Sequence, residues 1–424
     1  MKTFKSIFSL KDEKRWIKMT IFTMLAVFCG ICICTSLYYG NRLLLGSFET
    51  FDNDDGRYIR SAITLIDTGK FTCKYPDQST VFMMPGMVFL LVPFVKMFGM
   101  WGAITAFRIF QAIMQTVTMY IFFLIARRIF GSKFAIISTG LTMLYLPVIY
   151  TTTLILSEIP FLFLFSLLTL LIIHAVETKR TGIYIAGGFC WGACALFRPI
   201  IAAFPVVILI LWIIKKYKIR DIVKFTLIAA TCFVIVLSPW WIRNYVTFHK
   251  FIPFTIATGN PALQGAFINY EQDYTDIDTS GVEYGNTELS IDEAEKTISE
   301  RVIVYNFRKN PVRYIIWMIF GKTVMNFRFP FIWYDLYGIA FVNVVIMHLI
   351  ILFSGIAGAV MGIFRRNLAG YGWLLLGSVL YFNCIHLPFY CFARYVYPAM
   401  PLIIMGAVYF IREMVCILKV RKSH

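Results

Sequence analysis

Of the chain's 424 residues 59% are hydrophobic, 17% aromatic and only 15% charged. A soluble fold of that length could not bury so much apolar surface, so the sequence reads as an integral membrane protein. Its formal charge of +17 invites a nucleic-acid reading. The distribution of that charge argues otherwise, because the basic residues gather in short loops between apolar runs: Lys11, Lys14, Arg15 and Lys18; Arg127, Arg128 and Lys133; Lys179 and Arg180; Lys215, Lys216, Lys218 and Arg220; Arg365 and Arg366; Lys419, Arg421 and Lys422. This is the positive-inside pattern, each cluster marking a cytoplasmic loop beside anionic headgroups.

A span needs about 20 apolar residues in a helix. Trp16 to Tyr39 fits, with basic residues before it, so the N-terminus is expected inside and Gly40 onward outside. Met84 to Phe98 is short, contains Pro85, Pro93 and Lys96, and is read as an interfacial helix. Residues 41–98 then form one large external loop. The following spans are Ile109 to Ala126, Phe134 to Tyr150, Ile159 to Val176, Ile183 to Phe197, Ile200 to Ile214 and Phe225 to Trp241. A second external region covers 242–336, with a helix expected from Ser290, Glu293 completing its capping box, to a stop near Pro311. Tyr314 to Phe331 carries Lys322 and Arg328 and is read as interfacial. Gly338 to Phe364, Tyr371 to Leu387 and Tyr395 to Leu418 bring the total to about ten spans, with both termini cytoplasmic. The expected organisation is a catalytic membrane module over 1–241, the external region 242–336 and C-terminal membrane helices over 337–424.

Phe51-Asp52-Asn53-Asp54-Asp55-Gly56-Arg57-Tyr58 places three carboxylates and an arginine where the chain enters its first external loop. Asp55 is a candidate N-cap for a helix starting at Gly56 or Arg57. Asp52 and Asp54 also match the short acidic pattern that holds a divalent metal with a sugar phosphate, so metal use stays open. Glu158 stands at the same face, at the mouth of another apolar helix, where an ionisable group is costly and tends to be functional. Arg57, Arg108, Arg198, Arg243, Lys322 and Arg394 share that side. Most are expected to snorkel to the headgroups, while Arg243 and Arg394 are the better candidates for phosphate, which arginine matches bidentately. The ten cysteines and the histidines show no metal-ligand spacing. A disulfide among Cys73, Cys384 and Cys391 stays open.

In chain order, Asp54-Asp55-Gly56-Arg57-Tyr58, Pro85-Gly86, Ala126-Arg127-Arg128-Ile129-Phe130-Gly131, Ser157-Glu158-Ile159-Pro160, Leu196-Phe197-Arg198-Pro199, Pro239-Trp240-Trp241-Ile242-Arg243-Asn244 and Arg394-Tyr395-Val396-Tyr397-Pro398 resemble the membrane glycosyltransferases of the GT-C fold. The resemblance is to the family 39 type, which contains protein O-mannosyltransferases and the aminoarabinose transferase of lipid A. It implies an all-α polytopic enzyme moving a sugar from a polyprenyl-phosphate donor to a lipid, glycan or protein acceptor on the non-cytoplasmic face, with inversion. It implies Asp54 as base, Asp55 and Glu158 as further acidic catalytic residues, and Arg57, Tyr58, Arg243, Arg394 and Tyr395 on the substrate and phosphate. One departure stands out. The lipid A enzyme has a phosphate-contacting lysine before its proline pair, where this chain has Phe82, Met83 and Met84. A flippase or transporter of lipid-linked glycan is the rival reading, and a polysaccharide polymerase or ligase the third. A transporter should carry mid-membrane charges and repeated halves.

Overall fold

The computed structural model describes residues 7–365 and 368–422, with side chains described to residue 418. Arg366 of the expected cytoplasmic clusters lies outside the described residues, as do the side chains of Lys419, Arg421 and Lys422. Among the described residues the chain is helical, with one isolated bridge between Thr72 and Ser79.

Helix α1 (Arg15–Tyr39) leads into the loop that ends at α2 (Asp54–Thr68). The next helix, α3 (Gly86–Phe130), is broken at Gly99, whose φ of 66° suits a residue without Cβ. The expected short helix over 86–98 is therefore distinct from the span that follows it. A bent pair comes next, α4 (Ser132–Leu144) and α5 (Leu146–Tyr150). Its 65° bend falls at Tyr145, just before a segment with Pro147 in its first turn. Four helices then run up and down: α6 (Glu158–Thr178), α7 (Thr181–Phe197), α8 (Pro205–Ile214, preceded by a 3₁₀ turn from Pro199) and α9 (Ile219–Phe248).

By length and composition, six helices among the described residues can cross a membrane, or seven when α4–α5 counts as one. Thr181–Phe197 and Pro199–Ile214 are shorter apolar helices. Each span expected from the sequence coincides with a helix, including α14 (Phe341–Phe364), α15 (Ala369–Cys384) and the segment formed by α16 (Ala393–Val396) and α17 (Met400–Lys422).

The region 242–336 contains α10 (Gly259–Ala266) and α11 (Glu288–Lys309), packed over a small core of Leu263, Ala266, Phe267, Ile298 and Val302. Helix α11 begins earlier than expected. Thr287 is its N-cap and Ser290 closes the capping box, while Glu293 pairs instead with Lys250 on the surface. Asn310 ends it, because Pro311 starts a new helix, α12 (Pro311–Ile316). After a π turn the chain continues as α13 (Lys322–Phe327). Helix α2 also starts before the expected position: Asn53 caps it by accepting from the Asp54 N–H at 2.7 Å, so Asp55 is not its cap. An asparagine in the extended conformation can do this one residue ahead of the acidic pair, whose charges then favour the N-terminal dipole. Cys73, Cys384 and Cys391 are free thiols.

Two late helices meet backbone to backbone. A Cβ built on Gly358 of α14 would lie 1.9 Å from the Gly406 carbonyl oxygen of α17, and one on Gly406 would lie 2.3 Å from that of Gly355. Association of helices in lipid relies on such close approach, since burial of apolar side chains gains little there. Gly358→Leu should therefore lower the midpoint of thermal unfolding in detergent, by the ~1–3 kcal/mol typical of overpacking or more. Gly30→Ala, where an added Cβ meets nothing within 4 Å, should not. Equal melting of the two variants would show that α14 and α17 part without cost.

Candidate active site

The site is assembled from three helix beginnings. Asp54 is the first residue of α2, Glu158 the first of α6, and Arg394 lies on the one-turn α16. Each position follows from its sequence. Asn53 caps α2, Pro160 is tolerated in the first turn of α6, and Pro398 ends the Arg394 turn at the start of the last helix.

Arg394 joins the two acids. Its Nη1 donates to Asp54 Oδ2 at 2.8 Å and its Nε to Glu158 Oε1. Arg198 follows Phe197, the last residue of α7. Its Nη2 donates to the same Glu158 oxygen and its Nε to Ser157 Oγ at 3.3 Å. Asp54, Arg394, Glu158 and Arg198 thus form a continuous ionic chain. Glu158 is 1% exposed, whereas the Asp54 side chain keeps 37% of its surface open. Burial acts to raise the Asp54 pKa, but Arg394, Arg57 and Arg198 outweigh it and hold the carboxyl below its usual value.

Beside this chain lies a cavity of about 250 Å³ lined by Asp54, Arg57, Tyr58, Arg198, Arg394 and Tyr395. Its apolar wall includes Phe82, Met83 and Met84. His386 also lines it, stacked on Tyr395 with ring centroids 4.4 Å apart. His386 Nδ1 lies 2.7 Å from the Phe382 carbonyl. That oxygen only accepts, so Nδ1 carries the proton and Nε2 is the second ring nitrogen available to a ligand.

Of the residues singled out in the sequence, the structure brings Asp54, Glu158, Arg57, Tyr58, Arg394 and Tyr395 together. Three other expected residues point elsewhere. Asp55 is buried and its carboxylate accepts from the Leu45 and Gly56 N–H groups, fastening the loop before α2; burial pushes its pKa up. Asp52 accepts from the Ser47 N–H at 2.9 Å and does not line the cavity, so the Asp52–Asp54 pair is not presented together there. No group of three or more His, Cys, Asp or Glu side chains suited to a metal occurs among the described residues. Arg243 is not part of the cavity either. Its guanidinium donates to the Thr80 and Phe71 carbonyls and packs over the rings of Phe71, Trp240 and Phe248. It fixes the external loop to α9.

Arg198 and His386 are the residues that the sequence reading left without a role in the site. Arg198 was visible as a cation at the proper helix mouth, but its contact with Glu158 depends on how α6 and α7 pack. Cys73, Thr255 and Ala257 complete the wall from two external segments. Those segments are tied to one helix. Glu288 of α11 accepts from the Lys74 N–H at 3.0 Å and from Thr80 Oγ1, and Asp292, one turn on, accepts from the Thr258 and Gly259 N–H groups at 2.9 and 2.6 Å.

Removing one partner of a buried ion pair leaves an uncompensated charge at a cost of about 3–5 kcal/mol. Glu158→Ala takes the shared carboxylate from two arginines at once, leaving Arg198 without its acid and Arg394 with Asp54 alone, so it should sharply reduce the yield and thermal stability of the extracted protein. Asp54→Ala should do much less, because Asp54 is more than a third exposed. Equal stability of the two variants in detergent melts would show that Glu158 does not hold the arginines.

Residues 83–242, less than half of the chain, match the family described as dolichyl-phosphate-mannose-protein mannosyltransferase. Among solved structures, the archaeal oligosaccharyltransferase AglB from Archaeoglobus fulgidus, in complex with an inhibitory peptide and a dolichol-phosphate, superposes with a TM-score of 0.59 at 13% identity, covering 97% of this chain and 52% of that one. Its apo form gives 0.59 at 11% identity, over 98% and 52%. ArnT from Cupriavidus metallidurans, bound to undecaprenyl phosphate, gives 0.44 at 14% identity, over 93% of this chain and 77% of that one. No curated protein matches the sequence. The chain spans about half the length of the oligosaccharyltransferase it resembles, and its fold is the GT-C fold of membrane glycosyltransferases.

Proposed function

We propose that the protein is a membrane glycosyltransferase that moves a sugar from a polyprenyl-phosphate donor to an acceptor hydroxyl or amine, with its cavity on the non-cytoplasmic face and both termini cytoplasmic. The observation that carries this reading is the single arginine, Arg394, that joins Asp54 to Glu158 beside a cavity also lined by Arg57 and Arg198. The fold and the match over 83–242 support the same class.

Asp54 is the base. It takes the proton of the acceptor as the acceptor oxygen or nitrogen bonds to the anomeric carbon. The bond between that carbon and the phosphate oxygen breaks, and its electron pair leaves with the lipid phosphate. One displacement inverts the anomeric centre and needs no second nucleophile. Arg57 donates to the Asp52 carbonyl at 2.9 Å, lines the cavity, and so offers charge to the phosphate. Arg394 and Arg198 add to it, held in place by Glu158. Positive groups fixed before the reaction stabilise growing charge without reorganising. Glu158 therefore positions the arginines and Arg243 positions the loop.

Asp54→Asn should insert and melt like the parent yet lose transfer by about 10²–10⁴-fold, the usual worth of a general base. The assay is transfer of labelled sugar from polyprenyl-phosphate donors in membranes. Unchanged transfer removes Asp54 from the base role, and movement of the carrier across the bilayer without transfer would establish the transporter instead.

The pH dependence has a definite sign. A carboxyl held below its ordinary value of about 4 stays ionised to lower pH. The pairing of Asp54 with Arg394 contributes stability above the unfolded value, and that contribution is lost as pH falls through the lowered folded value. Transfer should accordingly lose activity only on the acid side of the ordinary carboxylate range. Arg57→Ala removes one of the charges that hold Asp54 down, so it should move this acid limb to higher pH in a rate–pH profile. A limb that does not move would separate Arg57 from Asp54.

A further inference from the structure

The charged cavity presents one polar atom that the proposed reaction leaves unused. Its arginines, Arg57, Arg198 and Arg394, can only donate hydrogen bonds, and Asp54 is taken up with the acceptor proton. A sugar seated among them carries hydroxyls, each of which both donates and accepts. The arginines can meet the lone pairs of such a group but not its hydrogen. Shielded from water and facing donors alone, that hydrogen would bear the cost of an unmade bond. The wall must therefore supply an acceptor of its own. Tyr58 and Thr255 carry hydroxyls that rotate and serve either role, so they impose no choice on a ligand. His386 does.

His386 lies just past the end of α15, buried in the cavity wall with 4% of its surface exposed. Several contacts fix it. Nδ1 donates to the Phe382 carbonyl at 2.7 Å, and the ring lies within 5° of the Tyr395 plane, 4.4 Å away between centroids. Its own carbonyl accepts from the Phe389 N–H at 2.9 Å and from Cys391 Sγ at 3.1 Å. The turn that follows is anchored from outside α15. The Tyr390 N–H donates to the Pro261 carbonyl at 2.8 Å, and Lys322 Nζ donates to the Leu387 and Phe389 carbonyls. With the proton on Nδ1, Nε2 bears a lone pair, and it has no hydrogen-bond partner among the described residues. A second proton there would add a fourth cation beside the three arginines. Nε2 is thus an acceptor whose direction is set in advance.

We infer that His386 is a specificity-determining residue: its Nε2 accepts a hydrogen bond from one hydroxyl of the donor sugar, and the site rejects a sugar lacking oxygen at that carbon. This rests on the proposed donor class. The hydroxyl belongs to the donor sugar because Tyr395, on which the imidazole lies, directly follows Arg394, one of the arginines assigned to the phosphate that the sugar is joined to. The acceptor's reacting group is directed to Asp54 instead. Discrimination follows from the missing partner, since a site built to bond a hydroxyl leaves its own polar atom unpaired when that hydroxyl is absent. The stacked imidazole cannot turn away to find another.

The test measures equilibrium binding to the purified full chain in phospholipid nanodiscs, with no acceptor present. The probes are polyprenyl phosphate, its mannosyl and glucosyl esters, and the monodeoxy forms of each ester. One monodeoxy form should bind about 10–100-fold more weakly than its parent ester. His386→Phe keeps the ring on Tyr395 and should erase that one difference, weakening the parent ester without weakening the deoxy form. His386→Gln places an amide oxygen near the position of Nε2 and should restore part of the difference. Polyprenyl phosphate without a sugar should bind alike to both variants and the unaltered protein, which also reports that they fold, yet should be lost from Arg57→Ala. Equal binding of every monodeoxy form would overturn the inference, as would deoxy penalties that persist in His386→Phe. So would a penalty seen only in transfer rates once an acceptor is added, because the hydroxyl would then belong to the acceptor. If no polyprenyl phosphate depends on Arg57, the donor class itself is wrong, and that failure is distinct from Arg57-dependent binding that ignores His386.

Discussion

The structure turns on one guanidinium. The Arg394 side chain is only 14% exposed, and a cation so far withdrawn from water without partners would be costly. Its partners come from two distant helix starts, Asp54 on α2 and Glu158 on α6. Satisfying it therefore requires that the loop leading into α2, the fourth long apolar segment and the last one converge. Arg198 adds the end of α7 to the same point. The order of the surrounding segments follows from this meeting. The turn bearing Arg394 is supported in its own right, because Lys322 donates to the Leu387 and Phe389 carbonyls at 2.6 and 3.1 Å, and Gly265 of α10 lets the Phe389 backbone approach.

The region 242–336 acts on the same centre from another direction. Glu288 and Asp292 stand one turn apart on α11 and reach different walls, one over Lys74 and Thr80, the other over Thr258 and Gly259. Arg243 holds the first of these walls again from α9. Buried carboxylates that accept backbone N–H groups gain charge-assisted hydrogen bonds, and they make an otherwise loop-built wall stiff. In the proposed reaction that stiffness would keep an acceptor within reach of Asp54.

What the sequence made legible was mostly residue type and the grouping of charged helix mouths. Asp54, Glu158 and Arg394 stood out because each is an ionisable group where an apolar helix starts, and the alternation of apolar runs with basic loops put them on one face. Helix existence followed from the same runs, since membrane helices announce themselves by composition. The cap positions did not, because Asn53 and Thr287 compete with acidic neighbours that suit a helix start equally well in sequence. Nor was the division of labour among arginines legible. Arg198 and Arg243 both follow aromatic residues at the ends of apolar helices, yet only one faces the cavity. That outcome depends on the rotation of α7 and α9 about their axes, and the glycines at 188 and 192 that fix their approach carry no signal of what lies across from them.

The ionic chain also bears on how the proposed transfer balances its charge. The cavity and its floor bring three arginines against two carboxylates, an excess of one positive charge that suits the single negative charge of a phosphodiester donor. When the sugar leaves, the lipid phosphate becomes a monoester and gains negative charge. At that moment Asp54 receives the acceptor proton and becomes neutral, so the total within the cavity stays constant. In the proposed reaction Arg394 links the two changes, because its Nη1 donates to Asp54 and its hold on that carboxyl weakens when the charge is lost. Glu158 does not titrate in this cycle. Fixed between Arg394 and Arg198, it keeps both cations in place while their other partner changes from carboxylate to phosphate.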